Sequence, residues 1–159
     1  MSIRIGILGY GNLGRGVECA VKQNPDMELR AVITRRPPES VKVLTEGVKV
    51  CHVDEAEKLK DEIDVLILCG GSATDLPVQT PEFARWFNVV DSFDTHANIP
   101  QHFDAVDRAA SESGHVSGLG SGNVLIKPAV CHSHSSPGKQ LYLLGKGSQP
   151  GPFRRCQKN

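Results

Sequence analysis

Ile3-Arg4-Ile5-Gly6-Ile7-Leu8-Gly9-Tyr10-Gly11-Asn12-Leu13-Gly14 is the stretch whose reading decides the fold. Ile3, Ile5, Ile7 and Leu8 form a short apolar run without proline. A strand covered on both faces of a parallel sheet has that character. The run stops at a G-x-G-x-x-G spanning Gly9 to Gly14. Gly9 permits a tight turn, Gly11 lets the backbone approach a pyrophosphate, and Gly14 lets the next helix pack closely on the strand. The helix start then offers unpaired N–H groups and a partial positive charge to an anion. Alone the motif is weak; its place after a strand and before a helical pattern gives it weight. The plain alternative is a glycine-rich turn that binds no nucleotide.

Working outward, Val17, Ala20 and Val21 continue the helix, with Leu13 assigned to the same side, and Asn24-Pro25-Asp26 ends it. Met27 to Thr34 reads as a second strand. Folds that select NAD place Asp or Glu at this strand end to bind the ribose 2′-hydroxyl. Here Thr34-Arg35-Arg36 stands instead. Two guanidiniums suit a 2′-phosphate, so the expected cofactor is NADP. The competing reading is a pair of surface arginines opening a loop.

Val48 to Cys51 is predicted as a third strand, Val53 to Leu59 as a short charged helix, and Asp64 to Cys69 as an apolar fourth strand. The fourth strand runs into Gly70-Gly71-Ser72-Ala73-Thr74-Asp75, which should line the cofactor because ligands bind at strand carboxyl ends. Ser72 or Thr74 could equally cap the next helix. That helix is expected over Thr80 to Phe87, started by Pro81, with Trp86 and Phe87 packed on the sheet. A fifth strand, Val89 to Ser92, leads into Asp91-Ser92-Phe93-Asp94-Thr95-His96. Asp94 would meet an amine-bearing substrate, or with Thr95 would cap the next helix. His96 is either an acid–base group or a solvated loop residue. A helix from Pro100 to Ser113, ended by Gly114, precedes a sixth strand begun by His115 to Ser117. The alternation predicts an α/β fold, a Rossmann-type doubly wound parallel sheet over residues 1–117. A largely irregular tail is expected over 118–159.

The totals narrow the function classes. A chain of 159 residues holds one domain, or one plus a tail. Lys+Arg 18 against Asp+Glu 18 gives net charge +0, which offers nothing to nucleic acid or an anionic membrane. No apolar run approaches the roughly 20 residues of a membrane span, and no signal peptide opens the chain. Cys19, Cys51, Cys69, Cys131 and Cys156 are scattered without C-x-x-C spacing, which reads as reduced cysteines in a cytoplasmic protein. No metal is expected. Cys131, His132, His134 and Cys156 match no zinc template.

With these segments in place the chain resembles the meso-diaminopimelate dehydrogenases. G-Y-G-N-L-G, the paired arginines, G-S-A-T-D and D-x-x-D-x-H stand in order at matching spacing over roughly Met1 to Val116. The resemblance implies NADP-dependent, reversible oxidative deamination at the D-centre of meso-diaminopimelate, in lysine biosynthesis, by a homodimer. It implies cofactor contacts at Gly11, Asn12, Leu13, Arg35, Arg36, Gly71, Ser72, Ala73, Thr74, Ser92 and Phe93, beside the turn glycines Gly9 and Gly14. It implies a substrate carboxylate at Asp94. No catalytic set is complete in this chain. A stand-alone NADP-binding module and another amino-acid-pathway NADP oxidoreductase remain as alternatives.

After Ser117 the pattern changes to Gly, Ser, Pro, His and Lys. The resemblance calls there for G-W-D-P-G-M, then F-S-L-N-R-L-Y-A, then Y-T-F-W-G-K-G-V-S-Q-G-H-S-D-A-V-R-R. None is present as written. Codons can be chosen for Asn123 to Cys131 that spell M-F-S-L-N-R-L-Y one base later, and comparable choices recover the other two stretches from Ser117 to Gly122 and Gln140 to Arg155. The expectation is a one-base insertion near Gly118 and Leu119, an out-of-frame and poorly ordered tail, and a chain without dehydrogenase activity.

Overall fold

The computed structural model describes residues 2–121 and 124–125. Among the described residues seven strands and three α-helices follow one another in chain order. They are β1 (Ile3–Leu8), α1 (Asn12–Lys22), β2 (Met27–Thr34), β3 (Lys49–His52), β4 (Val65–Leu68), α2 (Leu76–Phe83), β5 (Asn88–Asp91), α3 (Ile99–Ser113), β6 (Ser117–Ser121) and β7 (Val124–Leu125). Short 3-10 turns occupy Pro38–Ser40, Val53–Leu59 and His96–Asn98. The sheet order is β3-β2-β1-β4-β5-β6-β7. The pairs from β3 to β6 are parallel, and β7 adds antiparallel to β6. This is the doubly wound order, reversing direction between β1 and β4.

Both faces are covered, and the strands show why. In β1, Ile5 and Ile7 face one apolar cluster while Leu8 faces the other. In β2, Leu29 and Val32 face the first, and Ala31 and Ile33 the second. In β4, Leu66 and Leu68 lie opposite Ile67. Alternate side chains of one strand thus serve two cores, which is why the runs read as continuously apolar. Val17 and Val21 of α1 close one face; Leu76 and Phe83 of α2 with Val106, Ala109 and Ala110 of α3 close the other. Phe83, Phe87 and Phe93 are fully buried there, each contributing about 1.5–3 kcal/mol.

Three expectations are adjusted and one is refined. α1 buries Gly14, Glu18 and Val21, while Leu13 is 47% exposed and Ala20 is exposed. The buried stripe is set by the close approach at Gly14, not by the count of apolar residues. α2 starts at Leu76 rather than Thr80: Pro77 takes the first-turn position and Pro81 lies inside the helix. Val53–Leu59 is the short charged helix expected there, wound as a 3-10 helix. The sheet continues past Ser117, because Val89, Val90 and Asp91 pair with Ser117, Gly118 and Leu119. The expected irregular tail therefore does not start at 118; residues 122–123 and 126–159 lie outside the described ones, and with them Cys131, His132, His134 and Cys156. Cys19, Cys51 and Cys69 are free thiols. No helix among the described residues is long and apolar enough to cross a membrane.

Candidate functional site

The carboxyl ends of β1, β2, β4 and β5 bring together the segments singled out in the sequence. The glycine turn comes first. Gly9 has φ +92, a left-handed conformation that favours glycine. Its N–H donates to Ile33 O at 2.9 Å, tying the turn to β2. A Cβ on Gly14 would stand 2.3 Å from Gly9 O, so the first turn of α1 rests directly on the glycine turn's backbone. A Cβ on Gly11 would meet nothing within 4 Å. Gly11 is the N-cap of α1, with no side-chain cap and no acidic residue in the first turn. The helix thus presents its orphan N–H groups, uncompensated, to open space. Asn12 and Leu13 are exposed on the same turn.

A buried network holds this turn from behind. Tyr10, 4% exposed, donates its hydroxyl to Glu18, which is itself fully buried. Glu18 Oε1 also accepts from Leu44 N at 3.0 Å and Thr45 N at 2.7 Å. Burial raises the Glu18 pKa, but the Tyr10 and Thr45 donors outweigh it and the carboxyl ends below its ordinary value. Burial and the Glu18 carboxylate push the Tyr10 phenol up to about 12. The Arg15 guanidinium lies 5.8 Å from the Tyr10 ring centroid, on its face. Glu18 was missed in the sequence. Its signal was its place on the stripe Gly14, Glu18, Val21, where a carboxylate needs a reason to be buried.

Arg35 and Arg36 leave β2 in different directions. Arg36 Nη2 donates to Tyr10 O at 2.7 Å, so it reaches back to the glycine turn. Its own N–H donates to Thr34 Oγ1 at 3.0 Å. Arg35 forks onto Asp75, with 3.0 Å from Nη1 to Oδ1 and 3.1 Å from Nη2 to Oδ2. Asp75 Oδ2 also accepts from Gly71 N at 2.9 Å. The Gly71 N–H and then the Arg35 guanidinium hold the Asp75 carboxyl below its usual range. The turn after β4 is tight: a Cβ on Gly70 would lie 2.9 Å from Asp75 Cβ, and one on Gly71 2.8 Å from Thr74 Oγ1. Ala73 and Thr74 are exposed, and Ser72 is half-buried. Arg35, Thr74, Asp75, Val78, Gln79 and Trp86 are among the residues lining a cleft of about 640 Å³ beside this turn.

Beyond β5, Ser72 Oγ accepts from Asp94 N at 2.8 Å and lies 3.2 Å from Thr95 Oγ1. The Gly70–Asp75 and Asp91–His96 segments therefore meet at Ser72. Asp94 is exposed. Neither Thr95 nor Asn98 makes a side-chain cap, so the capping alternative for this loop is not what the structure adopts. Likewise, neither Ser72 nor Thr74 is the N-cap of α2; Asp75 is. Phe93 is buried, and its ring stacks on His102 at 4.0 Å and 12°. His102 Nε2 lies 2.6 Å from Asp91 Oδ2, which also accepts from Thr80 Oγ1 at 2.7 Å. Asp91 Oδ1 accepts from Phe93 N at 3.2 Å. This buried knot sets where Ser92, Phe93 and Asp94 leave the sheet, and no local pattern in the sequence joins Thr80, Asp91 and His102. His96 lies exposed in the following 3-10 turn. Among the described residues no group of His, Cys, Asp and Glu could hold a metal ion.

No family model matches the chain. Over 114 residues it is 69% identical to the meso-diaminopimelate D-dehydrogenase of Ureibacillus thermosphaericus, covering 72% of this chain and 35% of that protein. The meso-diaminopimelate D-dehydrogenase of Lysinibacillus sphaericus is 67% identical over 116 residues, covering 73% of this chain and 35% of that one. Among solved structures, a Clostridium tetani meso-diaminopimelate dehydrogenase variant with diaminopimelate aligns at TM-score 0.66 and 53% identity, over 74% of this chain and 36% of that one. An engineered D-amino acid dehydrogenase bound to NADP+ aligns at TM-score 0.68 and 41% identity, over 75% and 36%. The chain thus spans 35–36% of the length of these relatives.

Proposed function

We propose that this chain, which over 72% of its length is 69% identical to a meso-diaminopimelate D-dehydrogenase, forms the NADP-binding unit of that family's oxidoreductase. One observation carries the reading. The glycine turn, the two arginines after β2 and the Gly71–Asp75 turn all open at one carboxyl edge of the sheet. The residues fit the group. The space over Gly11 is one a side chain would fill. The start of α1 offers unpaired N–H groups to a pyrophosphate. Arg35 and Arg36 offer guanidiniums for a 2′-phosphate where an NAD site would carry an acid. Thr74 and the cleft beside it would take the adenosine end, and Ser92 and Phe93 would border the nicotinamide end. Bound NADP would supply the hydride acceptor. Asp94, exposed and held through its N–H by Ser72, would face the amine-bearing substrate, meso-diaminopimelate.

The same reasoning limits what the 159 residues do alone. Holding two reactants in register supplies about 7–11 kcal/mol of such catalysis, and the relatives use a chain of which this one spans 35%. A polypeptide of these 159 residues binds NADP and does not turn over meso-diaminopimelate. The homodimer implied by the resemblance is assigned to the part of the relatives not spanned here. The tail from Gly118 onward is read as out of frame with the family. Two experiments test this. Purified chain incubated with meso-diaminopimelate and NADP+ produces no NADPH above background, and sustained production would refute the inactivity. Coding DNA read across codons 110 to 160 spells the family's sequence one frame over, and DNA that does not spell it refutes the frameshift and revives a stand-alone module.

A further inference from the structure

The Arg35 guanidinium is already engaged by an anion. It forks onto both oxygens of Asp75, 40 residues away in the chain. Bidentate pairing of this kind uses the same edge of the guanidinium that would fork onto a phosphate. Arg36 differs: one nitrogen is spent on the neutral Tyr10 carbonyl, and its charge meets no carboxylate among the described residues. The Arg35–Asp75 pair is asymmetric in exposure, 62% for the arginine side chain and 21% for the aspartate. Asp75 is therefore the fixed partner. Gly71 N–H holds its Oδ2, and its backbone caps α2. Arg35 is the solvent-facing one.

We propose that Asp75 is a positioning and specificity-determining residue that presets Arg35 over the site and competes with the cofactor's 2′-phosphate for its guanidinium. Binding of NADP then exchanges a carboxylate for a phosphate on Arg35. The role rests on reading the site as an NADP site. Two consequences follow from charge alone. A carboxylate at Asp75 disfavours a neighbouring phosphate dianion, and it tolerates the neutral 2′-hydroxyl of NAD, to which it can act as acceptor. Asp75 thus narrows the preference for NADP that the paired arginines establish. Exposed ion pairs are weak, so the exchange is easy and the effect is a few-fold.

The test uses small probes that isolate the adenosine end: adenosine 2′,5′-bisphosphate and 5′-AMP, titrated into the whole chain by calorimetry. Asp75→Asn keeps an oxygen for Gly71 N–H and removes the charge. It should tighten adenosine 2′,5′-bisphosphate about two- to fivefold and leave 5′-AMP unchanged or weaker. The gain should shrink with added salt and vanish when Arg35→Ala is present, since the role acts through Arg35. Equal changes for both probes, no change, or a gain that persists without Arg35 overturns the proposal. If the variant does not fold, the unmodified chain answers. The Asp75 carboxyl, followed by carbon-13 NMR, should titrate at higher pH once adenosine 2′,5′-bisphosphate saturates the site, and an unchanged titration overturns the exchange. Failure of the underlying reading looks different: the unmodified chain would bind adenosine 2′,5′-bisphosphate no better than 5′-AMP, which removes the site and the role together.

Discussion

At the scale of single residues, the glycine turn separates two demands that the motif combines. A Cβ on Gly14 collides with the Gly9 carbonyl at 2.3 Å, and backbone cannot yield as a side chain would. Gly14→Ala should therefore cost about 1–3 kcal/mol of stability and weaken NADPH binding at least tenfold. Gly11 has open space around it and an ordinary φ of −99. Gly11→Ala should leave stability within about 0.5 kcal/mol yet weaken NADPH comparably, because its methyl group occupies the ligand's space. Thermal melts and fluorescence titrations of both variants check this. Equal stability loss in both would contradict it.

Glu18 makes a second prediction at this scale. Its folded pKa lies below the ordinary 4.5, so the native state binds its proton less readily than the unfolded chain. The stability it contributes is present above pH 4.5 and is lost as pH falls through the folded value. Glu18→Gln should cost about 1–3 kcal/mol at neutral pH, and the gap to the unmodified chain should close in melts taken toward acid pH. A gap that holds constant would mean that Glu18 works by shape and not by charge. Residues of this kind are poorly legible in sequence. Gly9, Gly11, Gly14, Arg35 and Arg36 could be named because their neighbours in the chain give them meaning. Glu18 and Asp75 act on partners 26, 27 and 40 residues away, and no local pattern records such pairings.

At the scale of elements, β1, β2 and β4 were legible within a residue or two because each is apolar on both faces. The helix after β4 was not. Pro81 looks like a first-turn proline, but Pro77 already fills that place and the helix absorbs Pro81 in its interior. The gain that decides this is burial: starting at Leu76 puts Leu76, Thr80 and Phe83 on the core face. Thr80 then reaches Asp91, which links α2, α3 through His102, and the loop after β5. Asp91→Asn would leave one amide nitrogen facing donors in a buried network, at a cost of about 2–4 kcal/mol. The loop carrying Ser92 to Asp94 should lose its fixed exit as well. Urea melts give the first quantity, and hydrogen exchange at the Phe93 N–H gives the second. Unchanged exchange would show that the Phe93–His102 stacking alone holds the loop.

At the scale of the whole molecule, six parallel strands reverse order between β1 and β4, and the ligand-facing segments gather at that reversal. The sheet order follows from the alternation of strands and helices together with the right-handed crossover rule. What the sequence could not supply was the closing of the site onto itself: Arg36 on Tyr10, Arg35 on Asp75, and Asp94 on Ser72. These contacts preorganise three separate turns as one surface, which suits a dinucleotide with a 2′-phosphate. The most direct measurement is calorimetric titration of the 159-residue chain with NADPH and with NADH at moderate salt. NADPH should bind saturably and at least tenfold tighter than NADH, with the difference lost in the Arg35→Ala, Arg36→Ala double variant. Equal affinity for the two, or no binding of either by folded chain, would contradict that reading of the site.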